Sequence, residues 1–342
     1  MKKTAPTIIL AVWLTALTLH GAVDALPSWN DGAVKQSILS FVSDVTTPGK
    51  ATFVPSPERI AVFDNDGTLC VEQPAYIQCC FGVERVKAVA AQHPEWREQE
   101  PFKSALAGDL KGVLASGVRG LTQLPSSACA GLTLDEYDRV VRDWLANSRH
   151  PRYARPYTEC VYQPMLELLA LLRTNGFKSF VVSGGTVEFM RVWTEKVYGV
   201  PPERVIGSAV SNQFELRNRQ AVMVRRAEIE LVNDKVQKAL SIDRVIGRRP
   251  ILAFGNSDGD LPMLQWTASG GGRRFCAFVH HTEGQREYAY DRNSPIGRLD
   301  KGLDEVTARG WTVVDMKRDW NRVFPFEAAS TALTRIRHLP AT

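Results

Sequence analysis

The sequence predicts an α/β fold, a Rossmann-like three-layer parallel-sheet core with an inserted helical cap. Short apolar runs that end in turn residues, typical of buried parallel strands, recur at 60–63, 177–182, 250–254 and 275–279. Helical patterns separate these runs, and strands joined by helical crossovers form parallel sheets. The helical stretch 70–162 is far longer than an ordinary crossover, which predicts a cap.

The first segment, 1–25, is predicted to be a signal peptide. Lys2 and Lys3 form a positive start, and the apolar run 7–19 is shorter than the ~20 residues that span a bilayer. Small residues precede an expected cleavage after Ala25. We therefore expect an exported protein, periplasmic or secreted, with no stable membrane anchor after cleavage.

Export changes the expectation for the six cysteines, because some thiols should pair in an oxidising compartment. Six cysteines allow 15 connectivities, and the sequence does not choose among them. The adjacent residues Cys79 and Cys80 are not expected to pair with each other.

Composition favours a packed globular protein, at 44% hydrophobic and 23% charged residues among 342. The formal net charge is +5, with both signs interleaved, and the short cluster Arg244, Arg248 and Arg249 lacks an accompanying basic–aromatic repeat. We expect no nucleic-acid partner and a mild attraction for anionic substrates.

The first elements lead to a pair of acids. Helical spacing at 29–45 precedes the buried strand 60–63, which runs into Asp-Asn-Asp-Gly-Thr at 64–68. In an open α/β sheet, ligands bind just beyond the carboxyl ends of the strands. By itself the stretch 64–68 is equally typical of an Asx-turn.

The cap is predicted from three helical patterns with no convincing strand between them, at 83–91, 101–114 and 134–145. The sequence Thr-Leu-Asp-Glu at 133–136 is typical of a capping box at the start of the third helix. The predicted organisation is a signal peptide at 1–25, a core at 26–69 and 163–342, and a cap at 70–162.

The second buried strand follows a strong helical pattern at 164–173 and ends in Ser183, Gly184 and Gly185. A glycine-rich turn that enters a helix, here at 187–197, presents free N–H groups that suit a phosphate. Taken alone, such a turn is more often a plain strand-to-helix connection.

The remaining elements repeat the pattern. Short alternating runs predict strands at 205–210 and 221–224, and a helix starts near 233. The strand at 250–254 ends in Gly-Asn-Ser-Asp-Gly-Asp at 255–260. Three later elements are predicted: a strand at 275–279, a helix at 299–308 and a late edge strand at 311–314.

Parallel strands place their carboxyl ends at one edge of the sheet, so the polar residues that follow them should meet there. Three acids at one rim need a counter-ion, and hard oxygen ligands with few partners favour Mg²⁺, which also bridges phosphate oxygens. The residues expected at this edge are Asp64, Asp66, Ser183, Asn256, Asp258, Asp260 and a lysine.

These motifs, in this order, resemble the four motifs of the haloacid dehalogenase superfamily. They are Asp-x-Asp-Gly-Thr, Val-Val-Ser-Gly-Gly, a lysine, and Gly-Asn-Ser-Asp-Gly-Asp, and they span 59–264. The helical insertion after the first motif is similar to the C1-type cap of the phosphoserine-phosphatase-like branch. The resemblance implies a phosphatase of the same α/β fold.

The resemblance implies a role for each motif residue. Asp64 would attack phosphorus and form an aspartyl-phosphate, while Asp66 would protonate the leaving alkoxide and then deprotonate water. Ser183 and the Gly184 N–H would bind the phosphoryl group, and a lysine would neutralise its charge. Asp260 would hold the metal shell.

Two positions stay open. Asn256 stands where the family usually has a metal-binding Asp, and we expect its amide oxygen to bind Mg²⁺ with Asp64 and the Asp66 carbonyl, while Asp258 and Asp260 complete the shell. The lysine is Lys238 or Lys235; the apolar residues that follow favour Lys238 slightly.

The cap should choose the substrate. Glu72 lies eight residues after Asp64, and a pocket-facing role in substrate binding and a surface position are equally expected. His280 and His281 are discounted as a metal pair, since adjacent strand residues face opposite ways. Four aromatic residues could form a cation-binding wall, with core packing the more frequent role: Trp96, Trp144, Tyr157 and Tyr162.

The sequence therefore predicts an exported, Mg²⁺-dependent phosphatase that hydrolyses a small-molecule phosphomonoester. Two alternatives remain: a phosphotransferase that passes the phosphoryl group to an alcohol, and a phosphate-ester-binding protein with little turnover.

Overall fold

The computed structural model describes residues 24–327, and the signal-peptide prediction therefore lies almost entirely outside the described residues. The strands are β1 (Ile60–Phe63), β2 (Lys178–Thr186), β3 (Val205–Arg217), β4 (Gln220–Leu231), β5 (Leu252–Gly255), β6 (Phe275–His280) and β7 (Thr312–Asp315). The helices are α1 (Ala33–Thr46), α2 (Ile77–Val89), α3 (Phe102–Ala107), α4 (Leu110–Ala115), α5 (Gly117–Ala128), α6 (Leu134–Asn147), α7 (Gln163–Thr174), α8 (Val187–Arg191), α9 (Thr194–Tyr198), α10 (Val236–Ile246), α11 (Leu261–Ala268), α12 (Lys301–Arg309) and α13 (Met316–Asp319).

The strands form a seven-stranded sheet in the order β4-β3-β2-β1-β5-β6-β7 within the described part of the chain. Every neighbouring pair is parallel except β3 and β4, which are antiparallel. β1 lies in the middle, with Val62 opposite Phe180 of β2 on one side and Ala253 of β5 on the other. The predicted mostly parallel α/β fold is confirmed, and β7 is an edge strand as predicted.

Side chains alternate across the sheet into two apolar cores, which makes three layers. Ala61 and Phe63 of β1 join a cluster that includes residues of α1 and α7. Ile60 and Val62 join a second cluster with residues of α10, α11 and α12. All four residues of β1 are buried, as expected for a strand covered on both faces.

The segment between β1 and α7 contains helices α2 to α6 and, among the described residues, no named strand. The capping box forms as predicted: Thr133 Oγ1 accepts from the Glu136 N–H over 3.2 Å, and Glu136 Oε2 accepts from the Thr133 N–H over 2.8 Å. The division into core and cap at 69–70 and 162–163 stays a prediction.

The largest departure from the predicted elements is the hairpin of β3 and β4. The sequence predicted two short strands, whereas the structure has strands of 13 and 12 residues. The hairpin is held against the cap by backbone hydrogen bonds, from Gly131 to the Arg225 carbonyl and from Arg225 to the Leu132 carbonyl. These hydrogen bonds stabilise strand structure at Arg225, which lies outside the apolar run used for the prediction.

All six cysteines are free thiols in the structure, so the expectation that some pair is wrong here. Between residues 24 and 327, no helix is long and apolar enough to cross a membrane. Trp144 stacks on Tyr157 with ring centroids 5.2 Å apart, and this pair packs in a core, as do Trp96 and Tyr162.

Candidate active site

The carboxyl ends of β1, β2 and β5 bring most of the predicted residues together. Asp64 directly follows β1, and its N–H donates to the Phe254 carbonyl of β5 over 3.0 Å. Ser183 lies near the end of β2, and Asn256 follows β5. The backbone pairing of β1 with its two neighbours therefore fixes the relative positions of these side chains.

Lys238, from α10, is the cation of this group. Its Nζ donates to Asp64 Oδ1 and to Asp260 Oδ1, each over 2.5 Å, and its side chain is almost fully buried. Lys235 precedes α10 with a positive φ of 54° and has an exposed side chain. Of the two predicted lysines, the structure places Lys238 in the site and Lys235 outside it.

Burial and charge perturb the titration of this group. Burial and the neighbouring Asp260 together raise the pKa of Asp64 to about 8, against the opposing effect of Lys238. Burial opposes the charge of Lys238, but Asp260 and Asp64 outweigh it and raise its pKa. The surroundings thus disfavour the charged form of Asp64, and a bound cation would favour that form.

Asp66 lies beside the Ser183 hydroxyl. Its Oδ2 accepts from Ser183 Oγ over 3.4 Å and from Asn65 Nδ2 over 3.2 Å, whereas its buried Oδ1 has no hydrogen-bond partner. Burial raises the pKa of Asp66. Among the described residues, one oxygen of this buried carboxylate is therefore without a hydrogen-bond donor.

Asp260 is fully buried and organises the turn after β5. Its Oδ2 accepts from the backbone N–H groups of Asn256 and Ser257 over 3.0 and 3.1 Å. Its Oδ1 accepts from Lys238, so the acid links the turn to the cation.

Asp258 is placed differently from its predicted position in the metal shell. Its carboxylate accepts from the N–H groups of Asp300, Lys301 and Gly302, at 2.9 to 3.2 Å, where α12 begins. A carboxylate satisfies the free N–H groups of a helix start well. Asp258 therefore anchors α12, and we assign it no direct contact with a metal ion.

Asn256 and Glu72 form a buried pair below the turn at Gly67. Asn256 Nδ2 donates to Glu72 Oε1 over 2.6 Å, and Asn256 Oδ1 accepts from Thr68 Oγ1 over 3.1 Å. A Cβ on Gly67, whose φ is +80°, would lie 2.0 Å from Asn256 Nδ2, so only glycine fits this turn. Tyr290 also donates to Glu72 Oε1, over 2.7 Å.

The site lies around a cavity of about 90 Å³. Its core side is lined by the predicted residues Asp64, Asp66, Ser183, Gly184 and Lys238, together with Gly185, Asp234 and Ser257. Its cap side is lined by Glu72, Tyr76, Gln78, Cys79, Val118, Leu121 and Thr122. Residues of the predicted cap and of the predicted core therefore line one small space beside the acids.

A family model of haloacid dehalogenase-like hydrolases matches residues 61–265, more than half of the chain. The chain belongs to this family. No curated protein matches it in sequence. Among solved structures, a functionally unknown protein from Anaerococcus prevotii DSM 20548 is 12% identical, over 82% of this chain and 91% of that one, with a TM-score of 0.52.

Two further solved structures have names that describe an activity. A probable phosphoserine phosphatase from Vibrio cholerae is 16% identical, over 91% of this chain and 77% of that one, with a TM-score of 0.41. Cytosolic 5'-nucleotidase IIIB bound to cytidine is 16% identical, over 74% and 80%, with a TM-score of 0.37. At these identities the likeness concerns the fold and not the substrate.

The donor set of this haloacid dehalogenase-like hydrolase fits Mg²⁺. Among residues 24–327, no cluster of three His, Cys, Asp or Glu side chains could hold a metal ion. Mg²⁺ does not need one, since it keeps several waters and binds proteins through one or two carboxylates and other oxygens. The Asp64 carboxylate and the Asp66 carbonyl are oxygens of this kind. The Asn256 amide oxygen accepts from Thr68 Oγ1 over 3.1 Å, and its direct contact with Mg²⁺ stays a prediction.

Several site residues escaped the sequence analysis because their roles depend on distant contacts. His281 Nε2 donates to the Gly67 carbonyl over 2.8 Å, and its Nδ1 lies 3.1 Å from the buried Glu287 carboxylate. Asn233 Nδ2 donates to the Ser183 carbonyl over 2.9 Å. Both ring nitrogens of His281 are engaged in these contacts, and the contact with the Gly67 carbonyl had no sequence signal.

Gln78 of α2 joins the cap to the end of β2. Its Nε2 donates to Thr186 Oγ1 over 2.6 Å, and its Oε1 accepts from the Thr186 N–H over 2.7 Å. The amide nitrogen and the amide oxygen of Gln78 are thus both hydrogen-bonded to Thr186. This contact fixes α2 directly beside the cavity.

Proposed function

We propose that the protein is an Mg²⁺-dependent phosphatase that hydrolyses a small phosphomonoester. One observation carries the proposal: Lys238 Nζ contacts both Asp64 and Asp260, and Lys238 lines one cavity with Asp64, Asp66 and Ser183. A nucleophile, a cation and a proton-exchanging acid around one small space are the parts that phosphoryl transfer needs.

In the first step, an oxygen of Asp64 attacks phosphorus, and the bond from phosphorus to the substrate alkoxide breaks. Asp66 gives its proton to the alkoxide, which leaves as the alcohol. The raised pKa of Asp66 favours its protonated form, which suits a general acid.

In the second step, Asp66 takes a proton from water as the water oxygen attacks phosphorus. The bond to Asp64 breaks, and inorganic phosphate is released. Lys238, the Ser183 hydroxyl and the Gly184 N–H would hold the phosphoryl oxygens in both steps. Bound Mg²⁺ would supply charge neutralisation at Asp64 and at the phosphoryl group.

The cavity favours a small substrate. Its volume of about 90 Å³ is well below the several hundred cubic ångströms of typical ligand pockets. Among the described residues that line the cap side there is no lysine or arginine, so none of them would pair with a second anionic group. Glu72 and Asp234 line the same space. We infer an uncharged or cationic leaving group of few atoms.

We also propose that the protein is exported, because residues 1–25 have the pattern of a signal peptide. Cleavage after Ala25 would remove Asp24, whose carboxylate lies 2.7 Å from Lys35 Nζ. Asp31, at 2.9 Å, would remain as the partner of Lys35. N-terminal sequencing of the exported protein tests this proposal directly.

A panel of small phosphomonoesters tests the function. Phosphate release is measured with Mg²⁺ and with EDTA, for leaving groups that are neutral, cationic or anionic. We expect Mg²⁺-dependent release, fastest for neutral or cationic alcohols, and none with Asp64→Asn. Release that survives in Asp64→Asn would refute the mechanism.

The same assay separates the two alternatives. Transfer of the phosphoryl group to an added alcohol, in preference to water, would identify a phosphotransferase. Binding of phosphate esters without any Mg²⁺-dependent release would identify a binding protein.

A further inference from the structure

A second cavity, of about 370 Å³, lies at the other end of the strands from the candidate active site. Its walls include Val54 and Glu58 before β1, Ile251 before β5, and Arg274 before β6, so it is at the amino ends of three adjacent strands. The candidate active site is at the carboxyl ends. The four residues of β5, at about 3.3 Å each, place roughly 13 Å of sheet between the two.

The lining of this cavity is strongly basic. Four arginines line it, Arg248, Arg249, Arg273 and Arg274, whereas Glu58, with an exposed side chain, is the acid among the described lining residues. Because like charges around one space repel, such a cluster is costly unless an anion lies among them.

The arginines are only partly compensated within the described residues. Arg273 Nε lies 3.3 Å from Asp44, which also pairs with Lys50. No ion pair involves Arg248 or Arg274 in the described part of the chain, and the buried Nε of Arg274 has no hydrogen-bond acceptor. A buried donor without a partner is rare in proteins and indicates a missing acceptor.

Two guanidinium groups are brought close together by a glycine. A Cβ on Gly270 would lie 2.6 Å from both Nε and Nη2 of Arg274 and 2.8 Å from Cδ of Arg249. Burial lowers the pKa of Arg274, and the charge of Arg249 lowers it further. The absence of a side chain at Gly270 therefore permits two positively charged side chains, Arg249 and Arg274, to lie close to the same point of the backbone.

The backbone beside these arginines is also accessible. The loop runs Ser-Gly-Gly-Gly-Arg-Arg at 269–274. A Cβ on Gly271 or Gly272 would meet nothing within 4 Å, and Gly272 has a φ of +77°. Glycine-rich backbone with free N–H groups binds phosphate oxygens, and arginine matches them with paired N–H donors.

We propose that this cavity is a binding site for a compact polyphosphate anion, separate from the active site. Four arginines, one lining acid and a volume about four times that of the active-site cavity fit two or more phosphoryl groups better than one. The four arginines are grouped around one half-open depression and do not form a long stripe, which favours a small ligand over a nucleic acid.

Calorimetric titration of the full chain with tripolyphosphate tests the proposal. Asp64→Asn protein in EDTA prevents turnover and removes metal-assisted binding at the catalytic acids. We expect saturable one-to-one binding that weakens as salt is raised. Arg248→Gln with Arg274→Gln should weaken it at least tenfold, and Arg248→Gln alone, at an exposed position, should weaken it measurably without affecting folding.

Arg244→Gln is the matched control, because Arg244 is an exposed arginine at the end of α10 that does not line the cavity. It removes the same charge and should leave binding within about twofold of the parent, as expected for a site held by direct contacts. Equal loss with Arg244→Gln would show diffuse attraction and overturn the proposal. So would the absence of saturable binding, or full binding by the double variant.

Titration with ATP distinguishes two sources of the anion. Equal affinity for ATP and tripolyphosphate would identify the phosphate chain alone as the ligand. Tighter binding of ATP that is lost in Phe53→Ala would identify a nucleoside polyphosphate, since Phe53 is a partly exposed aromatic residue of the lining. In either case Arg248→Gln should retain the parent's phosphatase activity.

Discussion

Asn256 Nδ2 donates to Glu72 Oε1 over 2.6 Å, and both side chains are buried. The family resemblance places an acid at position 256, where this chain has an amide. Two ionised carboxylates at this distance would repel each other strongly. Burial already raises the pKa of Glu72 well above its usual range. The amide at 256 and the acid at 72 are therefore a matched pair.

Asn256→Asp should destabilise the metal-free protein. The substitution removes the donor to Glu72 and buries a second acid beside it, which we expect to cost about 1–3 kcal/mol in free energy of unfolding. Urea unfolding in EDTA at pH 7 measures the change. Mg²⁺ should stabilise this variant more than the parent, because the added charge favours a cation.

Adding Glu72→Gln to Asn256→Asp is the control for this prediction, because it reverses the donor and the acceptor of one hydrogen bond. The double variant should recover most of the lost stability. If the single variant unfolds at the same urea concentration as the parent, the hydrogen bond between Asn256 and Glu72 does not contribute to the free energy of unfolding.

Lys238→Met and Lys235→Met should differ by orders of magnitude in activity. Removing a group that stabilises transition-state charge costs about 10²–10³ in kcat, and Lys238 contacts Asp64 whereas Lys235 is exposed. Steady-state kinetics on the best phosphomonoester measures both variants, with far-UV circular dichroism to check folding. A larger loss of kcat with Lys235→Met would reverse the assignment.

Much of the core could be predicted because its signals are local. β1 and β5 are buried on both faces and therefore appear as unbroken apolar runs, and parallel pairing brings whatever follows them to one edge. For that reason Asp64, Ser183 and Asn256 lie at the same end of the sheet. The capping box at Thr133 was equally local, since both partners lie within four residues.

The rest depends on contacts that are remote in sequence. Asp258 lies in the right motif, but α12, which begins more than 40 residues later, takes its carboxylate. His281 holds Gly67 across more than 200 residues, and no spacing rule describes such a pair. The hairpin of β3 and β4 makes backbone hydrogen bonds with residues 131 and 132, which the apolar pattern of its own strands does not encode. In each case the partner decides the direction of a side chain or the length of an element.

His281→Ala should reduce both stability and turnover. It leaves the fully buried Glu287 carboxylate without its imidazole partner and the Gly67 carbonyl without its donor. Breaking a buried pair costs about 3–5 kcal/mol, and a shift of about 1 Å in catalytic groups costs on the order of 10² in rate. Urea unfolding and kcat measure the two effects.

The double variant His281→Ala with Glu287→Gln separates the effect on stability from the effect on turnover. Neutralising residue 287 should restore part of the stability, whereas kcat should stay low because Gly67 still lacks a donor. Recovery of kcat together with stability would mean that His281 acts only through folding and does not position the turn.

Stability should fall in mild acid because of His150. Its Nε2 donates to the Gln73 carbonyl over 2.8 Å, and its Nδ1 accepts from the Arg152 N–H over 3.2 Å, an arrangement that requires the neutral ring. Burial lowers the pKa of His150, and the charge of Arg152 lowers it further, against the opposing effect of the Gln73 hydrogen bond.

Because the pKa is lower in the folded protein, only the unfolded chain takes up this proton as the pH falls below about 6.5, and the unfolded state is favoured. The free energy of unfolding should therefore decrease between pH 7 and pH 5, and less steeply in His150→Gln, whose amide keeps the donor to Gln73 without titrating. Urea unfolding at several pH values measures both slopes. Parallel slopes for the parent and the variant would exclude His150 as the source, whereas a shallower slope in the variant would assign that part of the acid sensitivity to this one ring.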